Sequence, residues 1–271
     1  MVVGEGAEPV ICSILAQFHP PTTKDFVWPC WGGSLEIGGV SFCMNFIFFL
    51  VLLSFVAFIL VFYLAFRRPQ VVPGKLQSIM EAGVQFVRES IAAPMLGREA
   101  DRFMPLLVTL FFFILFGNLL EVVPGINFSA NSRIAFPIAM AIVSWVTFNV
   151  VGIRTHGFIG YAKHVLFPPG APAWLYPLLV PIEFITQIIV RPITLSVRLA
   201  ANFLAGHFLL AVFFLGTIAL LEGGFTAIFG PFAFAIAVAL VGFEIFVALL
   251  QAFIFAILTA SYIGGAMAEE H

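Results

Sequence analysis

The sequence predicts an all-α fold, namely a polytopic membrane protein with about five membrane-crossing helices and one amphipathic surface helix. The 271 residues are 62% hydrophobic and only 10% charged. Soluble domains are about 45–50% apolar and about 25% charged, so the chain lies far outside that class. Several apolar stretches also reach the roughly 20 residues that a helix needs to cross a bilayer. These observations place the chain in a membrane.

The chain divides into an N-terminal segment, residues 1–43, and a membrane domain, residues 44–271. Residues 44–66 are apolar throughout and stop at Arg67-Arg68-Pro69, as expected of a first span. Residues 75–96 instead mix apolar positions with charged ones. That mixture is typical of a helix lying along the membrane surface.

The remaining apolar stretches are predicted as two ordinary spans and two overlong ones: 103–123, 134–153, 174–221 and 226–266. The third of them has 48 residues, or about 72 Å of helix against a hydrocarbon core of about 30 Å. It is either two spans broken near Arg191-Pro192 or one long helix that is tilted or kinked. The two overlong stretches meet at a turn, Glu222–Phe225, which indicates a tilted hairpin.

Basic residues set the expected orientation, because cytoplasmic loops are enriched in Lys and Arg. With the N-terminus outside, the outer loops contain only Lys24 and Arg133. The inner side then holds eight basic residues: Arg67, Arg68, Lys75, Arg88, Arg98, Arg102, Arg154 and Lys163. We therefore expect the N-terminus outside and the C-terminus in the cytoplasm.

Composition also limits function and cofactors. A net charge of −2 argues against nucleic acid as a partner. The three cysteines lie in the first 43 residues; Cys12 and Cys30 form a candidate disulfide, and a metal site with His19 is the alternative, although no zinc spacing is present. The start of the sequence carries Glu5 and Glu8 and no basic segment, so no signal peptide is expected. No phosphate-binding loop occurs, so we expect no nucleotide site. We also expect no cofactor, no metal and no catalytic site in this chain.

Three ionisable residues lie deep within the overlong stretches: Arg198, His207 and Glu244. A charge at the centre of a membrane costs about 2.5–3.5 kcal/mol on the insertion scale, so such residues mark function by default. If the stretches pair around the predicted turn, residues at equal depth have numbers that sum to about 448. His207 then lies level with Glu244, and Arg198 level with Gln251.

The three residues suit different tasks. Imidazole opposite a carboxylate can pass a proton, because it titrates near neutral pH. Arginine keeps its proton and acts as a fixed cation. Arg198 lies among Thr194, Ala201, Asn202 and Ala205, small residues that allow a partner helix to approach closely. The arrangement indicates an electrostatic gate beside a proton path; snorkelling side chains or helix–helix glue are the plain alternative.

Two long motifs resemble those of ATP synthase subunit a. The first is the run from Arg191 to His207, RPITLSVRLAANFLAGH, and the second is LQAFIF from Leu250. Shorter segments, GNLLEVVP from Gly117 and PGKLQ from Pro73, are also similar to that family. The resemblance covers roughly residues 70–265.

The resemblance implies a proton-translocating subunit with two offset half-channels and no nucleotide site of its own. Its implied partners are a rotating ring of c subunits, a b subunit stalk, the remaining ATP synthase subunits, membrane lipids and protons. Arg198 would face the ring. A His207–Glu244 pair favours protons over Na⁺, because imidazole is a poor sodium ligand.

The resemblance also assigns the other polar residues. His207 and Glu244 match positions of the outer half-channel, and Glu121 matches a further outer position, with an interfacial carboxylate as the alternative. Asn202 and Gln251 match buried polar positions near the arginine. Glu183 resembles an inner half-channel acid, one residue farther from Arg198 than in the family pattern.

Two other functional classes are weighed against this one. A secondary transporter with a polar site at the midplane usually has an internal repeat, and none is visible here. A membrane enzyme or haem carrier would need paired ligands, whereas only His207 of the five histidines lies deep in a span.

Overall fold

The computed structural model describes six parts of the chain: residues 34–37, 40–43, 46–123, 135–167, 175–222 and 224–268. Within them, five helical stretches are long and apolar enough to cross a membrane: Phe48–Phe66, Lys75–Val122, Ala135–Lys163, Tyr176–Leu221 and Ala227–Met267. The predicted all-α polytopic class is therefore confirmed. Cys12, Cys30 and His19, the residues of the possible disulfide or metal site, lie outside the described residues.

A short β-hairpin precedes the first helix. Strands β1 (Ser34–Ile37) and β2 (Val40–Cys43) pair antiparallel, with Ser34 opposite Cys43 and Ile37 opposite Val40. Sequence analysis did not predict these strands. A signal was present, since two glycines separate two short runs that each contain a β-branched residue, and such a pattern is typical of a hairpin.

Helix α1 (Phe46–Phe66) packs against helix α4 (Ala100–Val122) through aromatic rings. Phe62 and Phe112 meet edge to face with centroids 5.1 Å apart, a favoured arrangement of two aromatic rings. The ring of Phe112 also lies over Gly83, where a Cβ atom would be only 2.6 Å from it. Aromatic side chains thus join the first span to the helices that follow it.

Between these two helices the chain forms a series of short helical segments. They are α2 (Lys75–Val87), a π turn (Arg88–Ala92), α3 (Ala93–Leu96) and a 3₁₀ turn (Gly97–Glu99). Met80 and Val87 of α2 are buried in the core, whereas its charged residues are exposed. This division matches the amphipathic pattern of the sequence.

Helix α5 (Ala135–Leu166) continues well beyond residue 153, where the predicted span ends. Gly157 interrupts its helical geometry with φ of 72°, a conformation that glycine adopts without strain. The polar residues after 153 suggested a loop, but a helix that leaves the bilayer tolerates such residues.

The first overlong stretch is continuously helical. It consists of α6 (Tyr176–Ile185), a π turn (Thr186–Val190) and α7 (Arg191–Glu222). The break considered near Arg191-Pro192 is therefore a π turn within one helical stretch. Such turns appear where an extra residue is accommodated in a helix, frequently at functional sites.

Helices α7 and α8 (Gly230–Met267) form the second hairpin, connected through a 3₁₀ segment at Gly224–Phe229. Leu221 contacts Gly230. Helix α8 also packs against α4 and α5, so it is the central element of the described fold. Its buried face consists largely of small residues, which allow close approach: Ala248, Ala252, Ala256, Thr259, Ala260 and Ala266.

Candidate functional site

Arg198 lies on the exposed face of α7. The neighbouring residues on that face are small and equally exposed: Thr194, Ala201 and Ala205. The opposite face packs into the core through Leu195 and Leu199, which are at most 2% exposed. Among the described residues, Arg198 has no hydrogen bond, ion pair or aromatic contact. The 3.6-residue period of the helix thus directs a guanidinium away from the protein interior.

A cluster of ionisable side chains lies about two turns farther along α7. His207 Nδ1 is 3.7 Å from Glu121 Oε1 at the end of α4. Glu244 of α8 is 7% exposed and its carboxylate lies against Gly206. The imidazole is stacked on Phe203, with ring centroids 5.5 Å apart. Three helices therefore each contribute one proton-binding group.

Both carboxylates of this cluster line one small cavity with Asn118, Asn202 and Phe203. Its volume of ≈ 10 Å³ is close to the room that one water molecule needs. The lining supplies the two to four polar partners that a buried water requires. A single water in this cavity could therefore bridge the two carboxylates.

The structure adds Glu121 to the predicted pair in this cluster. Sequence analysis paired His207 with Glu244 and treated Glu121 as a separate outer residue. The two former residues are indeed level, since Glu244 contacts Gly206. The ion pair, with its atoms 3.7 Å apart, joins His207 to Glu121. Residues at equal depth in the hairpin have numbers that sum to 450 for Gly206 and Glu244, and to 451 for Leu221 and Gly230. These sums exceed the predicted value of about 448 because the 3₁₀ segment lengthens the turn.

Gln251 lies outside this cluster. Its side chain is 6% exposed, and its Nε2 atom has no hydrogen-bond partner among the described residues. It occupies the buried side of α8 at nearly the depth of Arg198, as the sequence indicated. Asn202, by contrast, belongs to the cavity lining rather than to the surface around the arginine.

A second and larger polar cavity, of ≈ 380 Å³, lies at the other end of the α7–α8 hairpin. Glu183 of α6 and Arg191 at the start of α7 both line it, with Ser261 and Tyr262 of α8. The guanidinium carbon of Arg191 lies 4.8 Å from the ring centroid of Tyr262, within range of a cation–π interaction. The predicted inner acid therefore shares a cavity with a cation, Arg191.

A hydrogen-bond network joins this cavity to α5. Gln187 Nε2 donates to the Tyr161 hydroxyl (2.7 Å), which lies 3.1 Å from Asn149 Oδ1. Trp145 Nε1 donates to the Gln187 carbonyl oxygen at 3.0 Å. Sequence analysis missed these residues. Asn149, a polar side chain inside a predicted span, was the available signal.

The two cavities differ in depth, and Arg198 lies between them. It is seven residues from Arg191 and nine from His207, or about 10 Å and about 13 Å along the helix. The small cavity is lined by two carboxylates and the larger one by one, and a carboxylate can exchange protons with water. Among the described residues, no group of three His, Cys, Asp or Glu side chains is placed to hold a metal ion.

Comparison with known proteins gives a consistent result. Residues 47–264 match the family described as ATP synthase A chain. The chain is 42% identical over 259 residues to ATP synthase subunit a of Rhodococcus erythropolis, covering 94% of this chain and 93% of that protein. It is 40% identical over 268 residues to the Frankia alni protein of the same name, covering 97% and 92%. The matched range contains Arg198, the whole lining of the small cavity and most of the lining of the larger one.

Proposed function

Because the chain belongs to the ATP synthase A chain family, we propose that it forms two offset half-channels against a rotating ring of c subunits. It is a multi-pass membrane subunit of the proton-translocating part of ATP synthase. Proton flow through the half-channels turns the ring. A b subunit stalk and the remaining ATP synthase subunits are further partners, and ATP is made outside this chain.

The observation that carries the proposal is the isolated, outward-facing guanidinium of Arg198. A cation exposed to lipid at this depth costs several kcal/mol, so it requires a complementary anion from outside the chain. The small residues Thr194, Ala201 and Ala205 let another helix approach that face closely. A ring of helices that each carry one membrane carboxylate has the required charge and shape.

The two cavities supply the half-channels in this proposal. The cluster of Glu121, His207 and Glu244, with Asn202, takes protons from the outside. The cavity lined by Glu183 and Arg191 releases them to the cytoplasm. The excess of basic residues on the loops assigned to the inside supports this orientation. A bacterial plasma membrane follows from the bacterial relatives.

The mechanism rests on desolvation. A ring carboxylate that has accepted a proton can enter lipid, whereas the ionised form cannot without a large cost. Arg198 attracts the ionised form and repels a proton that would pass directly between the half-channels. Each proton contributes about 2.3 kcal/mol per 100 mV. Several protons must therefore be summed for each ATP molecule.

The membrane arrangement belongs to the same proposal. Helices α1, α4, α5 and α8 and the α6–α7 stretch cross the bilayer, while α2 lies along its surface. Residues 1–43 are the extracytoplasmic segment. Family membership favours this subunit over the secondary transporter considered above, which would carry a solute without partner subunits.

Arg198→Ala in the intact ATP synthase tests the proposal. ATP-driven acidification of inverted membrane vesicles is expected to disappear, because nothing then separates the half-channels or attracts the ring carboxylate. Arg68→Ala, which removes an exposed arginine at the end of the first span, is the matched control and should keep its activity. Acidification by Arg198→Ala at the rate of the control variant would refute the proposal.

A further inference from the structure

The π turn before Pro192 leaves one backbone carbonyl without a donor in its own helix. The Arg191 N–H bonds to the Thr186 carbonyl, five residues back. In an α-helix that N–H would bond to Gln187 instead. Continuing the π pattern, the Gln187 carbonyl would accept from residue 192, but proline has no N–H. The Gln187 carbonyl oxygen is therefore left without a backbone N–H donor in its own helix.

The indole of Trp145 replaces the missing donor. Its Nε1 donates to the Gln187 carbonyl oxygen at 3.0 Å. A backbone carbonyl without a partner is costly inside a membrane, where no water is available to replace the lost bond. Trp145 is on α5, so the bond also ties the π turn to a neighbouring helix.

The π turn determines which side chains share the inner cavity. Glu183 and Arg191 are eight residues apart, which in a regular α-helix places them about 80° apart around the axis. A π turn accommodates one extra residue, so the angle falls to about 20°. Both side chains line the same cavity. The one-residue-longer spacing between Glu183 and Arg198 is thus compensated within the turn.

We propose that Trp145 is a positioning residue that maintains this π turn and thereby keeps Glu183 beside Arg191 in the inner cavity. The inference rests on the proposed function, because it assigns the cavity to proton release. The positioning role belongs to the indole N–H group, which donates the hydrogen bond, and not to the size of the aromatic ring. The Gln187 side chain, which donates to Tyr161, is a second tether of the same turn.

Trp145→Phe in the intact ATP synthase removes the N–H and keeps an aromatic ring. We expect ATP-driven proton pumping per assembled complex to fall roughly 5- to 10-fold, the effect of one lost hydrogen bond to a backbone group. Thr147→Val is the matched control, since Thr147 bonds only to Val143 of its own helix. It should pump at the unmodified rate.

A second substitution tests the hydrogen bond itself. Pro192→Ala supplies a backbone N–H at the position from which a π turn donates to the Gln187 carbonyl. Trp145→Phe combined with Pro192→Ala should therefore recover at least half of the lost pumping. If Trp145→Phe prevents assembly, the same recovery is scored on the amount of assembled complex.

Two results would overturn the inference: unchanged pumping by Trp145→Phe, or a loss that Pro192→Ala leaves as it was. Arg198→Ala separates these failures from a failure of the proposed function. If Arg198→Ala abolishes pumping while Trp145→Phe pumps at the rate of the Thr147→Val control, only the positioning role is wrong. If Arg198→Ala pumps normally, the proton path itself is wrong.

Discussion

The contact between Gly206 and Glu244 makes one added methyl group a severe perturbation. A Cβ atom at position 206 would lie 2.5 Å from both carboxylate oxygens of Glu244, whereas ordinary contact begins at 3.4 Å. The carboxylate must therefore move by about 0.9 Å, the difference between these two distances. Glu244 is only 7% exposed. A displacement of about 1 Å at a reacting group can cost about 100-fold in rate.

Gly206→Ala is therefore expected to lower ATP-driven proton pumping by roughly 10- to 100-fold, measured as initial acidification of inverted vesicles per assembled complex. Gly216→Ala on the same helix is the matched control, because a Cβ atom there meets nothing within 4 Å. Shortening the acid by one methylene group, as Gly206→Ala with Glu244→Asp, should restore part of the rate. Equal pumping by the two glycine variants would refute the reasoning.

Two further substitutions test the interior of the protein. Gly152→Ala places a methyl group against the Tyr161 ring, so it should displace the hydroxyl from its network and slow proton pumping, whereas Gly160→Ala should not. A result in which both variants pump alike would contradict a role for that network. Ser144 and Thr259 share a buried hydrogen bond of 2.9 Å. Ser144→Ala and Thr259→Val should each destabilise the protein towards detergent unfolding, with a coupling of about 0.6 kcal/mol between them; strict additivity would show that the bond contributes nothing.

The parts of the site that could be predicted depend on local periodicity. The exposed face around Arg198 follows from the 3.6-residue repeat and the small residues at Thr194, Ala201 and Ala205. The common depth of His207 and Glu244 follows from chain connectivity, because two helices joined by a short turn must run antiparallel. The predicted sum of residue numbers at equal depth was two to three too low, because the 3₁₀ segment was taken as part of the helix. Both features can be predicted without knowing how the other helices pack.

The parts that could not be predicted depend on packing between distant elements. Whether Glu121 reaches His207 depends on how α4 docks against the hairpin, and no spacing in the sequence encodes that docking. The bond from Trp145 to Gln187 likewise joins residues 42 positions apart. Pro192 was visible, but it indicates a disturbed helix without distinguishing a kink from a π turn. Tertiary structure, rather than local preference, decided these points.

The interior between the two cavities has a bearing on how protons can cross. Leu195 and Leu199 occupy the buried side of α7 at the depth of Arg198. The polar side chains buried at this depth, Ser196 and Gln251, do not titrate at any relevant pH. Among the described residues, therefore, no ionisable group joins the cavities through the core. In the proposed mechanism, a proton that enters one cavity is carried by a ring carboxylate through the lipid to the other cavity, and the carboxylate passes Arg198 only after losing that proton. The proposal therefore requires a partner that takes the proton away from this chain as a neutral carboxylic acid and returns the ionised carboxylate past Arg198.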